Sequence, residues 1–340
     1  MRPLDVYNAR IASIHSKKLC YLPFFCLFCI NSKREIHKFQ LFFLPLHLYW
    51  DDMKEIYYKV ADHVFALELG SNESVVCNLR QYEPFVTDPT EDVLFRLQLC
   101  ASPLNLNDFT LEWKQEDEGQ YILAGHVGEK PCYQFFLQDQ LKGVLVCSTD
   151  YREGEVYAVN SSPFGINNAL MVLYALATAD KHTALFHSSV VSYEGKAYMF
   201  LGKSGTGKST HSSLWLKYIE GTELVNDDNP VVRFLDDGSI WVYGSPWSGK
   251  TPCYRNVSYP LGAIVMLSQA PQNVIRRLRP LEAYAALVAS ISGKRWDSRL
   301  AEGLHETENL LVTHASIWHL DCLPDEAAAK LCCGTISLVA

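Results

Sequence analysis

The hydrophobic pattern changes character twice along the chain. Residues 19–30 and 39–50 are dense in Phe, Leu and Cys and flank a polar, basic stretch at 31–38. Neither apolar run reaches the roughly 18 to 20 residues that a membrane helix needs, so no membrane span is expected. Lys17 and Lys18 precede the first run as they would in a secretory signal, but no small-residue cleavage site follows. Met53 opens a more regular pattern, and the expected organisation is a hydrophobic N-terminal extension over residues 1–52 ahead of a native start at Met53.

From 54 to about 157, β-branched and aromatic residues alternate with turn-forming clusters. That pattern predicts strands at 56–69, 95–100, 109–113, 121–127, 133–137 and 143–147. The period then shifts. Ile166, Leu170, Met171, Leu173, Tyr174 and Leu176 predict a helix over 165–180 that is apolar nearly all round and therefore buried. Beyond it, strands at 184–191, 196–201, 223–226, 261–267 and 315–320 alternate with helices at 208–219, 280–290 and 324–331. Such alternation is the mark of α/β organisation. The expectation is a β-rich domain over 53–160 followed by an α/β domain over 161–340.

Composition narrows the partners. The formal net charge is −8, spread over short acidic clusters, and offers no basic footprint for nucleic acid or an anionic membrane. The 11 cysteines are odd in number and irregularly spaced, which argues against a disulfide framework and fits free thiols in a reducing, cytoplasmic compartment. Cys26 and Cys29 match C-x-x-C but have no partner pair and are read as chance.

The chemistry concentrates in the α/β part. Gly202-Lys203-Ser204-Gly205-Thr206-Gly207-Lys208-Ser209 fits the G-x-x-x-x-G-K-[ST] pattern of a P-loop. Glycines allow backbone amides to turn toward phosphate oxygens, Lys208 supplies charge for the β- and γ-phosphates, and Ser209 is placed for Mg²⁺. The apolar run Tyr198-Met199-Phe200-Leu201 supplies the strand before the loop. Leu214, Trp215, Tyr218 and Ile219 give the helix after it an apolar face, with Thr210 in its first turn. The predicted ligand is therefore a nucleoside triphosphate with Mg²⁺.

Leu224-Val225-Asn226-Asp227-Asp228 ends an apolar strand in two carboxylates, and Asp227 lies 18 positions after Ser209. That is room for one helix, a turn and a short strand, so the two motifs are expected to close a βαβ unit with the carboxylates beside the P-loop. One carboxylate can hold Mg²⁺, while the other accepts the proton of an attacking hydroxyl. His187 sits at the end of the strand before the P-loop strand, as a hydrogen-bonded core histidine or a member of the site. Tyr243 to Thr251 carries turn residues, Trp247 and Lys250, a weak candidate for holding an acceptor or the γ-phosphate. Asp236-Asp237-Gly238 reads as a plain hairpin turn.

The order of a histidine-bearing strand, a P-loop and a close aspartate pair resembles the catalytic domain of the HPr kinase/phosphorylase family, whose P-loop core is shared with ATP-dependent phosphoenolpyruvate carboxykinases. The resemblance is detailed over residues 187–232 and looser from 165 to the C-terminus. It implies that Lys208 and Ser209 bind ATP and Mg²⁺, that Asp228 or Asp227 serves as base toward a serine hydroxyl, and that His187 supports it. Thr210 departs from the acidic residue that family tends to carry there. The resulting expectation is an Mg·ATP-dependent kinase acting on a hydroxyl, with serine in a protein or peptide as acceptor. The alternatives are a small-molecule kinase and a nucleotide-binding regulatory module without turnover. A homo-oligomer is left open.

Overall fold

The computed structural model describes residues 55–70, 78–117, 119–249 and 251–338. The N-terminal extension, the proposed start at Met53, the Cys26/Cys29 pair and Lys250 lie outside the described residues. Lys54–Ala340 forms one compact unit, a mixed α/β structure built on two sheets.

The first sheet has eight strands: β1 (Glu55–Val60), β2 (His63–Glu68), β3 (Arg96–Leu99), β4 (Phe109–Asp117), β5 (Gln120–Val127), β6 (Lys130–Leu137), β7 (Gln140–Cys147) and β8 (Glu153–Ala158). Their spatial order is β1-β2-β3-β8-β7-β6-β5-β4, which leaves β4 at an edge. The run at 56–69, read from sequence as one strand, is two strands, because Ala61 and Asp62 both take positive φ (46° and 63°) and reverse the chain. That pair of φ values is the two-residue hairpin geometry normally filled by Asn and Gly. Helix α1 (Pro163–Ala177) starts at Ser162, whose side chain caps Gly165 N, with Pro at its first turn. It lies directly on this sheet. A Cβ on Gly165 would sit 2.3 Å from the Lys142 carbonyl oxygen, so glycine permits the helix backbone to touch β7.

The second sheet carries the expected chemistry. It runs β12 (Glu223–Asp228), β10 (Ser188–Tyr193), β11 (Lys196–Leu201), β15 (Ser258–Gln269), β14 (Ile240–Tyr243), β13 (Val231–Phe234) and β9 (Thr183–Leu185). β17 (Ile317–Cys322) pairs with β15, and β16 (Val274–Arg277) pairs with β17. Around it stand α2 (Lys208–Tyr218), α3 (Pro280–Val288), α4 (Ser298–His314) and α5 (Glu326–Ile336). Trp215 of α2 is fully buried with Tyr198, Phe200, Val265, Leu320 and Cys332, which welds α2 and α5 to the sheet. The seven described cysteines are all free thiols. No helix among the described residues is long and apolar enough to cross a membrane.

Candidate functional site

The connection from β11 to α2 forms a tight loop. Gly205 and Gly207 have φ of 78° and 105°, values that a side-chain-bearing residue rarely adopts, and Gly207 is the N-cap of α2. The Thr206 amide donates to the Lys203 carbonyl at 3.1 Å, closing the loop on itself. The Gln269 amide nitrogen, at the end of β15, donates to the carbonyls of Gly205 (3.2 Å) and Thr206 (3.4 Å). Lys208 Nζ donates to the carbonyl of Gly202 at 3.0 Å and lies 3.4 Å from that of Lys203. Four loop carbonyls are thus held by side chains at the N-terminus of α2, where the helix dipole favours an anion.

β12 does not pair with β11. The antiparallel β10 lies between them, so Ser188 is in register with both Leu201 and Asp228. Strand–helix–strand order is kept, and β11 and β12 still point the same way. The glycine loop and the aspartate pair therefore emerge at one end of the sheet, on either side of the chain entering β10. His187 occupies that entry. The run at 184–191 is broken there into β9 and β10, so His187 precedes a strand instead of ending one. Its amide donates to the Ser290 carbonyl at 2.7 Å, and Phe186 forms a β-bridge with Ile291.

These placements bring three side chains into a line. Lys208 Nζ is 2.9 Å from His187 Nε2, and His187 Nδ1 is 2.9 Å from Asp228 Oδ1. An ammonium has no acceptor, so Nε2 accepts from Lys208 and the imidazole proton resides on Nδ1, donated to Asp228. Burial pushes the Lys208 ammonium below its ordinary pKa, opposed by the carboxylates of Asp228, Asp117 and Asp227. Asp227 is buried, in register with Ser189, whose hydroxyl is 2.6 Å from that of Ser212 on α2. Residues in register share a face of the sheet, which puts Asp227 on the α2 side. Ser204, Ser209 and Thr210 are exposed around the loop.

The backbone at Asp228 is unusual, with φ of 155°. It is held by the segment after β14, which bridges Asp228 to Ser248 and donates the Gly249 amide to the Asp227 carbonyl at 2.7 Å. A buried polar network fixes that segment in turn. Asn226 Nδ2 donates to Ser245 Oγ at 3.1 Å, Ser245 Oγ donates to the Asn229 carbonyl at 2.6 Å, and Trp247 Nε1 donates to Tyr82 Oη at 2.8 Å. Strained backbone held by such over-determined surroundings concentrates at functional sites. Asn226, Ser245 and Gln269 carry no role legible in sequence, since isolated amides and hydroxyls match no motif. The Tyr243 to Thr251 segment, a weak sequence candidate for holding an acceptor or the γ-phosphate, packs against the aspartate pair through Ser248 and Gly249.

Comparison with known proteins adds little. No protein-family model matches the chain, and no curated protein matches it. Among solved structures, the Hpr(Ser) kinase/phosphatase from Coxiella burnetii aligns at 13% identity over 28% of this chain and 76% of that chain, with a TM-score of 0.22. A likeness at that score settles neither fold nor function.

Proposed function

We propose that the protein is a kinase that transfers the γ-phosphoryl group of Mg·ATP to a hydroxyl, a serine of a protein or peptide. The observation that supports this best is the line Lys208–His187–Asp228 at the mouth of the glycine loop, where a phosphate-type cradle meets a carboxylate oriented by an imidazole. Binding a nucleotide alone needs the cradle and no oriented base.

The residues present fit the nucleotide. Loop amides and the α2 N-terminus attract phosphate oxygens, and Lys208 and Thr210 flank them. Ser209 and Asp227 would hold Mg²⁺, which supplies charge neutralisation on the phosphates. Among the described residues no three His, Cys or carboxylate groups converge as a metal cage, and Mg²⁺ typically relies on few protein ligands plus phosphates and water. In the transfer, the acceptor O–H gives its proton to the Asp228 carboxylate as the new O–P bond forms and the bond to the leaving diphosphate breaks. His187 holds Asp228 in place, and positioning with charge neutralisation supplies most of the acceleration.

Isothermal titration with Mg·ATP tests the cradle. Wild type is expected to bind and Lys208→Ala to lose binding by tenfold or more. Equal affinity in the two proteins would refute the assignment of Lys208. Binding without transfer to any acceptor would favour the regulatory-module reading.

A further inference from the structure

β4 forms an exposed platform at one edge of its sheet. It is the terminal strand of its sheet, and the edge away from β5 carries no partner strand among the described residues. A bulge at Glu112 separates Leu111 from Trp113, after which pairing with β5 is regular from Trp113↔Ala124 to Asp117↔Gln120. The stretch 113–117 therefore offers an uninterrupted row of backbone donors and acceptors. At its start, Trp113 and Trp296 are each 43% exposed and pack with ring centroids 5.3 Å apart, and Leu111 is 53% exposed.

The charges under this apolar spot are neutralised internally. Glu112 accepts from Trp296 Nε1 at 2.7 Å and pairs with Lys294 at 3.1 Å, and His126 lies 3.1 Å away. Trp113 and Trp296 pack on each other with the Lys294 ammonium over the Trp296 ring, and their exposed remainder together with Leu111 has the composition of a binding hot spot. At the other end, the negative charge of Asp117 favours the Lys208 ammonium. A second wall connects the same two places. The segment 290–292 runs beside 185–187, through Ser290 O to His187 N and Ser292 N to Leu185 O, and continues into Lys294 and Trp296.

We propose that β4 is the docking edge for the acceptor polypeptide: an extended segment adds as a ninth strand along 113–117, seats an aromatic or aliphatic side chain on Trp113 and Trp296, and presents its hydroxyl at the Asp117 end. An unpaired strand edge is complementary to extended backbone and to little else. At about 3.3 Å per residue the platform spans about 13 Å, which sets the apolar anchor four or five residues from the phosphorylated hydroxyl. This inference rests on the kinase reading and specifies its acceptor.

The test is a positional-scanning peptide library with one fixed serine, incubated with the protein, Mg²⁺ and γ-labelled ATP. Wild type, Trp113→Ala, Trp296→Ala and the conservative Trp113→Phe are compared, with thermal melts to verify folding. Both tryptophans are surface residues, so the folds are expected to hold. Wild type should select a Phe, Trp, Leu or Ile four or five positions from the serine. The two alanine variants should lose that preference and raise the peptide KM about tenfold at unchanged affinity for Mg·ATP, and Trp113→Phe should restore most of it. Selection that ignores this position, or persists in both alanine variants, overturns the proposal. So does a protein that binds Mg·ATP and labels only small molecules, or a dimer abolished by the alanine variants, which would assign the edge to a second copy of the chain. Absence of Mg·ATP binding would instead remove the kinase reading beneath it.

Discussion

Lys208 and His187 meet at 2.9 Å, ammonium to imidazole Nε2, across the gap between a helix N-terminus and the entry to a neighbouring strand. Because the ring's other nitrogen faces Asp228, the proposed phosphate-binding cation and the proposed base are joined through one side chain. Their roles separate by mutation. Asp228→Asn keeps the hydrogen-bonding shape and removes basicity, so transfer should fall by roughly 10²–10⁴ while Mg·ATP affinity stays within a few-fold. Single-turnover kinetics beside titration calorimetry checks the split.

His187→Gln retains one donor or acceptor but cannot bridge Lys208 and Asp228 as the ring does. The expected loss in transfer is about tenfold to a hundredfold, smaller than for Asp228→Asn. A larger loss for His187→Gln would make the imidazole itself the proton acceptor.

Gln269→Leu releases the carbonyls of Gly205 and Thr206. The proposed phosphate cradle loses one of the contacts that fix its shape, and Mg·ATP should bind about three- to tenfold more weakly with little change in the rate of the bound complex. Titration calorimetry and kcat against KM distinguish this from a loss in chemistry.

His211 supplies a pH dependence of stability. It is buried among Phe200 and Trp215, accepts the Trp215 indole N–H, and burial lowers its pKa from 6.5 to about 4. The unfolded chain takes up a proton near 6.5 and the folded protein only near 4. Stability is therefore full above about pH 6.5, falls as pH drops toward 4, and is flat in this respect below that. The loss amounts to about 3 kcal/mol. His63, also lowered to about 4 and chiefly by burial, adds in the same direction. Urea unfolding between pH 4 and 7 measures the sum, and His211→Leu should flatten part of the slope.

Asn226→Ala strips the buried network that seats the loop against Asp227 and Asp228. Leaving the Ser245 hydroxyl and the Asn229 amide with fewer partners should cost about 2–3 kcal/mol, read by urea unfolding, and should lower transfer by disordering the clamp.

Legibility in the sequence followed the strength of local signals. β11 spans the residues expected of it, and α2 begins at the residue expected of it, because a buried run, glycines and a lysine mark that junction without help from the rest of the chain. α4 was not read. Thr307 and Glu308 lie in its buried stripe, where Glu308 Oε1 pairs with Arg295, so the stripe does not look apolar in sequence. β8 leaves little strand signal because Gly154 and Ala158 are two of its three buried residues. The interposition of β10 between β11 and β12 is a matter of long-range pairing, which local spacing does not encode. The break at His187 has the same origin, since the partner at residues 290–292 comes from about a hundred positions away.

The central claim is phosphoryl transfer dependent on Asp228, and its most direct test is incubation of the protein, Mg²⁺ and γ-labelled ATP with a lysate of its own host, Asp228→Asn alongside. The account predicts a labelled acceptor with wild type that is absent with Asp228→Asn, although both proteins bind Mg·ATP. Label of equal intensity with both proteins, or tight nucleotide binding with no acceptor labelled by either, would contradict it.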